Sequence, residues 1–352
     1  MIQQTPMTPA AGIKGVASTL VTGIFGSPAN PPFPATQPGT FTGTPSLATK
    51  FEDAVLLQPV KDLLGVFGLQ TQPVVPGSPL LSLLASPPPP LSLLIGNSPP
   101  PLLPLLLGET VQHTTYNGMS VVQITPAHPS GYYVVAIHGG FFTLPPTIFH
   151  WLDYSVMAYQ TGATIEVPLY PLLQQGGTAG TVVPNMAGFI STEIAAHGAS
   201  HVSVLGDSAR GTIALAAVEY MVAHGEPVPS SMVLLSPWLD LGLTNPNIAF
   251  VHDPFPSFGS GQSLGKLWAG NLAVNDPEVS PLYGSLQGLP PTTVYSGSLD
   301  SLAPDVLVLQ QEAASQGAPF SFVLANGQIH VWILFTPDGP RYWPQIDQEL
   351  GI

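Results

Sequence analysis

From residue 109 onward, short continuous runs of apolar residues alternate with longer segments in which apolar residues recur at helical spacing. Continuous apolar runs are typical of strands buried on both faces, as in a parallel sheet covered by helices. The pattern therefore predicts an α/β fold with a mostly parallel central sheet and helices on both of its faces. The predicted strands are residues 132–138, 163–168, 202–205, 232–236, 292–296 and 320–324, and the predicted helices are about residues 150–160, 183–197, 211–224 and 304–316.

A hairpin signature precedes this alternation. Residues 111–116 and 119–125 are separated by Asn117-Gly118, the dipeptide that best suits a type I′ turn. We therefore expect two antiparallel strands in front of the parallel sheet, and a folded domain that spans residues 109–352.

The first part of the chain has a different composition, with 20 of the 42 prolines in its first 110 residues. Residues 1–46 consist mostly of Pro, Thr, Gly and Ala, which bury too little surface to offset the entropy of ordering, so they are predicted to be a disordered tail. Residues 47–108 form an apolar, Pro-rich linker or cap segment. Its first part, residues 47–69, has helical spacing, and Pro59 is expected to kink that helix.

Charge and composition exclude several classes of function. The net charge of −14 arises after residue 108, where Arg210, Lys266 and Arg341 face 17 of the 20 carboxylates. Such a surface repels phosphate backbones, which argues against nucleic-acid binding, and it also argues against electrostatic docking on anionic lipid. Because the chain has no cysteine, thiolate catalysis, disulfides and zinc–sulfur sites are excluded. No run of about 18 apolar residues lacks a proline, so no transmembrane helix is predicted.

Ser208 lies where a predicted strand meets a predicted helix, in the sequence Gly206-Asp-Ser-Ala-Arg-Gly211. A serine on such a sharp turn can serve as a nucleophile, with the Ala209 amide at the helix start facing the oxygen anion that develops. The usual motif has glycine two residues after the serine, and here that position is Arg210. The motif alone therefore leaves the role of Ser208 open.

The residues that could assist Ser208 all follow predicted strands. His138-Gly139-Gly140 ends a strand about 70 residues before the serine, where glycine amides can point at an oxyanion. Asp300 follows the strand at 292–296; capping the next helix is its alternative role, and Asp305 is the alternative acid. His330 is the one histidine downstream of the acid. The order serine, aspartate, histidine predicts a catalytic triad of Ser208, Asp300 and His330.

With these residues identified, the chain resembles the hormone-sensitive-lipase branch of the α/β-hydrolases, and within it the mycobacterial triacylglycerol lipases that carry a PE or PPE secretion domain. The resemblance implies the α/β-hydrolase fold, the triad above, and an oxyanion hole near Gly139, Gly140 and Ala209. It also implies lipid esters such as acylglycerols as substrates. It covers roughly residues 130–350 and rests on the stretches IHGG, PTIFHWLDY, QGGTAGTVVPNM, VLGDSA, VPSSMVLLSPWLDL, GKLWAGN, SPLYGSLQGLPPT, YSGSLDSLAPDV and GQIHVW.

The sequence departs from the family at three points. Arg210 replaces the first closing glycine of G-D-S-A-G-G, Phe141 replaces the third glycine of H-G-G-G, and residues 1–108 show no recognisable PE or PPE helical pair. Arg210 would either turn outward and pair with a carboxylate, leaving a weakened enzyme, or displace the nucleophile. We therefore expect a serine esterase or lipase that needs neither metal nor cofactor. The alternative is a catalytically impaired hydrolase-fold protein that acts as a lipid-binding or envelope interaction module.

Location and lipid contact follow only from weaker signals. The N-terminus has no Sec-type signal, while the resemblance implies a cell-envelope or secreted protein; a cytoplasmic location is the alternative. Residues 80–107 alternate apolar and polyproline pieces. They are either a tether whose leucines pack on the domain or a lipid-contacting cap near the active site.

Overall fold

The computed structural model describes residue 28 and residues 30–352, except residues 67, 69, 86, 88, 90 and 256–259. Within these residues, nine strands form one sheet in the order β1-β9-β8-β7-β6-β4-β5-β3-β2. The six strands β4 to β9 are parallel to one another. The hairpin β2–β3 and the short β1 are antiparallel additions at the two edges. The strands are β1 (Phe33–Pro34), β2 (Thr110–Tyr116), β3 (Met119–Thr125), β4 (Tyr133–Ile137), β5 (Thr164–Leu169), β6 (Val202–Asp207), β7 (Met232–Leu235), β8 (Thr292–Gly297) and β9 (Phe320–Ala325).

Helices cover both faces of the sheet, and alternate residues of its central strands enter one of two separate cores. Val135 and Ile137 of β4 pack with α6, α7, α8 and α9, whereas Val134 and Ala136 pack with α5, α10 and α11. The helices are α1 (Leu47–Glu52), α2 (Gln58–Val66), α3 (Pro79–Ala85), α4 (Leu102–Leu107), α5 (Ile148–Thr161), α6 (Ala179–His197), α7 (Ala209–Ala223), α8 (Gly261–Ala269), α9 (Ala303–Gln316), α10 (Trp332–Phe335) and α11 (Trp343–Leu350).

The predicted α/β fold and its hairpin are confirmed. All six predicted parallel strands and all four predicted helices are present, with ends that differ by a few residues. The pattern did not predict α8 and α11. The first contains two glycines and the second contains Pro344, and these residues weaken a helical signal.

The N-terminal segment is more ordered than its composition suggested. Within residues 1–46, predicted to be a disordered tail, β1 pairs with β9 and Thr42 bridges Ala325. The Asn30 side chain donates to the Thr42 carbonyl at 2.9 Å and accepts from the Tyr342 hydroxyl at 2.9 Å. Order here comes from pairing with the sheet edge and from the burial of Asn30 and Ala35. Residues 1–27 and 29 lie outside the described residues.

The next segment forms the predicted helix with an irregular centre. A π-helical turn, Asp53–Leu57, joins α1 to α2 immediately before Pro59, whose missing N–H cannot complete a regular ladder. Large apolar side chains of this helix, including Phe51 and Leu63, are exposed. No helix in the described part of the chain is long and apolar enough to cross a membrane.

Residues 80–107 only partly behave as a tether that packs on the domain. Leu80, Leu81 and Leu107 are buried, whereas the side chains of Leu93, Leu102 and Leu105 are exposed.

Candidate active site

Ser208 occupies a strained turn between β6 and α7, near the middle of the sheet. Its φ of +54° and ψ of −129° lie in a region that costs a residue with a side chain about 1–3 kcal/mol. Two backbone hydrogen bonds hold it there: the Ser208 amide donates to the Leu235 carbonyl at 2.8 Å, and the Trp238 amide donates to the Ser208 carbonyl at 3.0 Å. The neighbouring strand therefore fixes the orientation of the serine.

Two glycines permit the close approach of strand and helix at this turn. A Cβ on Gly206 would lie 2.7 Å from the Arg210 carbonyl oxygen, and a Cβ on Gly211 would lie 2.7 Å from the Pro237 Cβ. The tight contact of α7 thus falls at residue 211. This explains how residue 210 can carry a large side chain without disturbing the turn.

The three residues of the predicted triad are brought together. The Ser208 Oγ lies 2.8 Å from the His330 Nε2, and the His330 Nδ1 lies 3.1 Å from the Asp300 Oδ1. Asp300 is fully buried, and its Oδ1 also accepts from the Leu302 amide at 2.9 Å. With the carboxylate accepting from Nδ1–H, the Nε2 lone pair faces the serine hydroxyl, which is the arrangement that a general base requires.

The alternative acid, Asp305, takes no part in this chain of hydrogen bonds. Its Oδ1 accepts from the Asn245 Nδ2 at 2.9 Å. Asp305 therefore lies in the first turn of α9 as a buried structural carboxylate.

Nearby carboxylates set the basicity of His330. Burial alone would lower its pKa, but the charge and hydrogen bond of Asp300 raise it. The charges of Asp253 and Asp207 act in the same direction, so the pKa of His330 lies above its ordinary value.

Asp253 is a site residue that sequence reasoning missed. It is buried, its Oδ1 accepts from the Phe255 amide at 2.8 Å, and its Oδ2 accepts from the Ser301 amide at 3.0 Å, next to Asp300. Burial, followed by the Asp300 charge, raises the pKa of Asp253. No motif surrounds it in the sequence, and only the folded chain brings its loop beside residue 300.

The loop that follows β4 contains Gly139 and Gly140 and is called the glycine loop below. One of its two amides, predicted to donate to an oxyanion, is already occupied. The Gly139 amide donates to the Asp207 Oδ1 at 2.6 Å, so it is not free to bind an oxyanion. The Gly140 amide donates to no acceptor in the described part of the chain. Ala209 is the first residue of α7, so its amide has no acceptor within the helix. Two of the three predicted amides, those of Gly140 and Ala209, are therefore available.

Asp207, the residue before the serine, fixes the glycine loop together with His150. The Thr147 amide donates to the His150 Nδ1 at 3.0 Å, so the ring proton lies on Nε2, which donates to the Asp207 Oδ2 at 3.3 Å. The Gly139 amide also lies 3.2 Å from that Nε2, but a protonated nitrogen cannot accept, and the shorter contact with Asp207 is the hydrogen bond. One buried carboxylate therefore ties the glycine loop to α5.

Arg210 does not turn outward, and the prediction that it pairs with a carboxylate is wrong. Its side chain is fully buried, and no carboxylate of the described residues forms an ion pair with it. Its Nη2 donates to the Leu144 carbonyl at 3.1 Å. Nor does it displace the imidazole from Ser208, since the hydrogen bond between the two is intact. Burial lowers the pKa of the guanidinium.

A cavity of about 250 Å³ opens onto the Ser208 and His330 side chains. Two of its lining residues, Lys61 of α2 and Gln70, come from the segment predicted to be a linker or cap, and none comes from residues 80–107. The Lys61 Nζ donates to the Asp253 carbonyl at the edge of the cavity. Most of the wall is apolar and is formed by Phe141, Trp238, Leu243, Ile248, Val251, Phe255, Leu264 and Leu302.

Comparison with known proteins agrees with this geometry. The family model described as alpha/beta hydrolase fold matches residues 134–334. A triacylglycerol lipase of Mycobacterium tuberculosis is 62% identical over 351 residues, which is all of this chain and 73% of that protein. An esterase of Acinetobacter venetianus is 28% identical over 218 residues, covering 61% of this chain and 71% of that protein. A solved esterase of the bacterial hormone-sensitive lipase family superposes with a TM-score of 0.64 at 24% identity, covering 84% of this chain and 96% of that one.

The chain therefore belongs to the alpha/beta hydrolase family. It is a serine ester hydrolase of the esterase and lipase type. Among the described residues, no group of three or more His, Asp or Glu side chains is arranged to hold a metal ion.

Proposed function

We propose that this hydrolase cleaves acylglycerols or other lipid esters through an acyl-enzyme on Ser208. The observation that carries the proposal is the continuous hydrogen-bonded chain from the Ser208 Oγ through His330 to Asp300, which opens into an apolar cavity. A nucleophile, an oriented base and a buried acid in this order are the parts that two-step acyl transfer needs.

In the first step, His330 takes the proton of Ser208 while the serine oxygen attacks the ester carbonyl carbon. Asp300 holds the imidazole in the tautomer that can accept, and it stabilises the imidazolium that forms. The amides of Gly140 and Ala209 then donate to the oxyanion. His330 returns the proton to the leaving alcohol, and in the second step it activates water, which releases the acid and restores Ser208.

The apolar wall of the cavity supports an acyl chain as the group that it accommodates. A relative at 62% identity bears the name triacylglycerol lipase, which supports acylglycerols as the substrate class. The exposed leucines at 93, 102 and 105 support contact of residues 80–107 with a lipid surface. An envelope or secreted location, which we also propose, would bring the protein to such a surface.

The test combines an active-site probe with an ester series. A fluorophosphonate probe should label the wild type and leave Ser208→Ala unlabelled, with Ser231→Ala, a buried serine away from the cavity, as the matched control. Hydrolysis of p-nitrophenyl esters and of a long-chain acylglycerol should follow the labelling. A steep loss of rate with chain length would indicate a short-chain esterase, and an unlabelled, inactive wild type would support the impaired, lipid-binding alternative.

A further inference from the structure

The loop that follows the glycines carries unusual backbone strain. Gly140, Phe141 and Phe142 have successive φ angles of +123°, +56° and +59°, and residues with side chains rarely adopt such angles. Phe142 is fully buried and stacks on Trp268 with ring centroids 4.2 Å apart. A loop in this conformation persists only where its surroundings hold it.

Arg210 lies directly beneath this loop and contacts it from both ends. Its Nη2 donates to the Leu144 carbonyl, and a Cβ on Gly140 would lie only 3.2 Å from its Nη1. The guanidinium lies 4.8 Å from the ring centroid of Tyr170 and 5.9 Å from that of Phe142, within the range of cation–π contact. The side chain therefore fills the space that a glycine at position 210 would leave empty.

We propose that Arg210 is a positioning residue for the oxyanion hole, which holds the Gly140 amide in place by bracing the loop from Gly140 to Leu144. The inference rests on the proposed function, because the Gly140 amide matters only if Ser208 attacks a carbonyl. It reverses the expectation from the sequence, in which a side chain at this position weakens the enzyme. No carboxylate of the described residues forms an ion pair with the Arg210 guanidinium. Its positive charge therefore also favours negative charge on an oxyanion bound by the Gly140 amide.

Replacement of the Arg210 side chain should therefore lower kcat. Arg210→Met retains bulk but loses the hydrogen bond and the planar charge, while Arg210→Gly also leaves a void. Since a displacement of about 1 Å can cost about a hundredfold in rate, we expect kcat to fall about tenfold to a hundredfold in both variants, with KM changed less than about threefold. Arg210→Lys retains the charge without the planar fork and should lose less.

The experiment measures kcat and KM on a soluble p-nitrophenyl ester, normalised by burst titration of active sites. The control is Arg341→Met, which removes the other arginine of the chain, a half-exposed residue paired with Asp338. An alkyl boronic acid, which mimics the tetrahedral adduct, should lose affinity in parallel with kcat/KM. Loss of folding alone would lower the titrated fraction and leave kcat and boronate affinity per site intact, which would overturn the proposal.

An Arg210→Gly variant with unchanged or higher kcat would overturn it as well. If Arg210→Gly and Arg210→Met do not fold, an unchanged kcat in Arg210→Lys would overturn the positioning role of Arg210. A wild type without activity refutes the proposed function instead, and restoration of activity by Arg210→Gly would overturn both.

Discussion

Asp207 offers the clearest test of how the glycine loop is held. Its two carboxylate oxygens accept from two donors on other elements, the Gly139 amide at 2.6 Å and the His150 Nε2 at 3.3 Å. In Asp207→Asn, the new amide NH₂ must face one of these two N–H groups. The substitution therefore removes one charge-assisted hydrogen bond and leaves two donors in contact inside the protein.

The magnitude follows from these bonds. A hydrogen bond to a charged group contributes about 1.5–3 kcal/mol. If all of this free energy is lost from the stabilisation of the transition state by the glycine loop, kcat/KM falls by about 10-fold to 150-fold, since about 1.4 kcal/mol corresponds to a factor of ten. The loss should appear in kcat, because the hole binds the developing oxyanion more strongly than the ground-state carbonyl.

The assay compares kcat and KM on a soluble ester with the free energy of unfolding in urea. Asp240→Asn is the matched control. Asp240 is also buried, and its carboxylate accepts hydrogen bonds from the Gly242 and Thr244 amides at 2.8 Å each. We expect both variants to be less stable and only Asp207→Asn to lose kcat by tenfold or more. Equal stability losses with kcat retained in both variants would refute the reasoning.

Three further predictions concern the surroundings of the site. Asp253→Asn removes a charge that raises the pKa of His330, so the acidic limb of the kcat/KM profile should move to lower pH; an unmoved or raised midpoint contradicts this. Burial raises the pKa of Glu166 to about 8, so the folded state keeps a proton that the unfolded chain releases near pH 4.5, and stability should fall as pH rises between those values. Glu166→Gln should flatten that slope in melting scans, and an unchanged slope counts against it. Gly211→Ala places a Cβ 2.9 Å from the Pro237 Cα and should cost about 1–3 kcal/mol in urea unfolding, whereas an unchanged midpoint would mean that the turn can yield.

Much of the fold could be predicted because each parallel strand is a continuous apolar run between helical segments. The triad could be predicted for a related reason. Ser208, Asp300 and His330 each follow a strand, and the carboxyl ends of parallel strands meet at one edge of a sheet.

The rest depends on contacts that the sequence does not encode locally. Asp253 acquires its place from a loop without a motif, and the Gly139 amide is occupied only because Asp207 folds back beneath it. Arg210 looked like a surface cation because a charged side chain is seldom buried without an ion-pair partner. The aromatic rings and the carbonyl that receive it come from segments distant in the sequence.

The most direct test of the central claim is the mass of the protein after rapid acid quenching during turnover of p-nitrophenyl butyrate. We predict one butyryl group per chain, located by peptide mapping on Ser208 and absent in Ser208→Ala. Turnover without any acylated chain, or a butyryl group on another residue, would contradict the account.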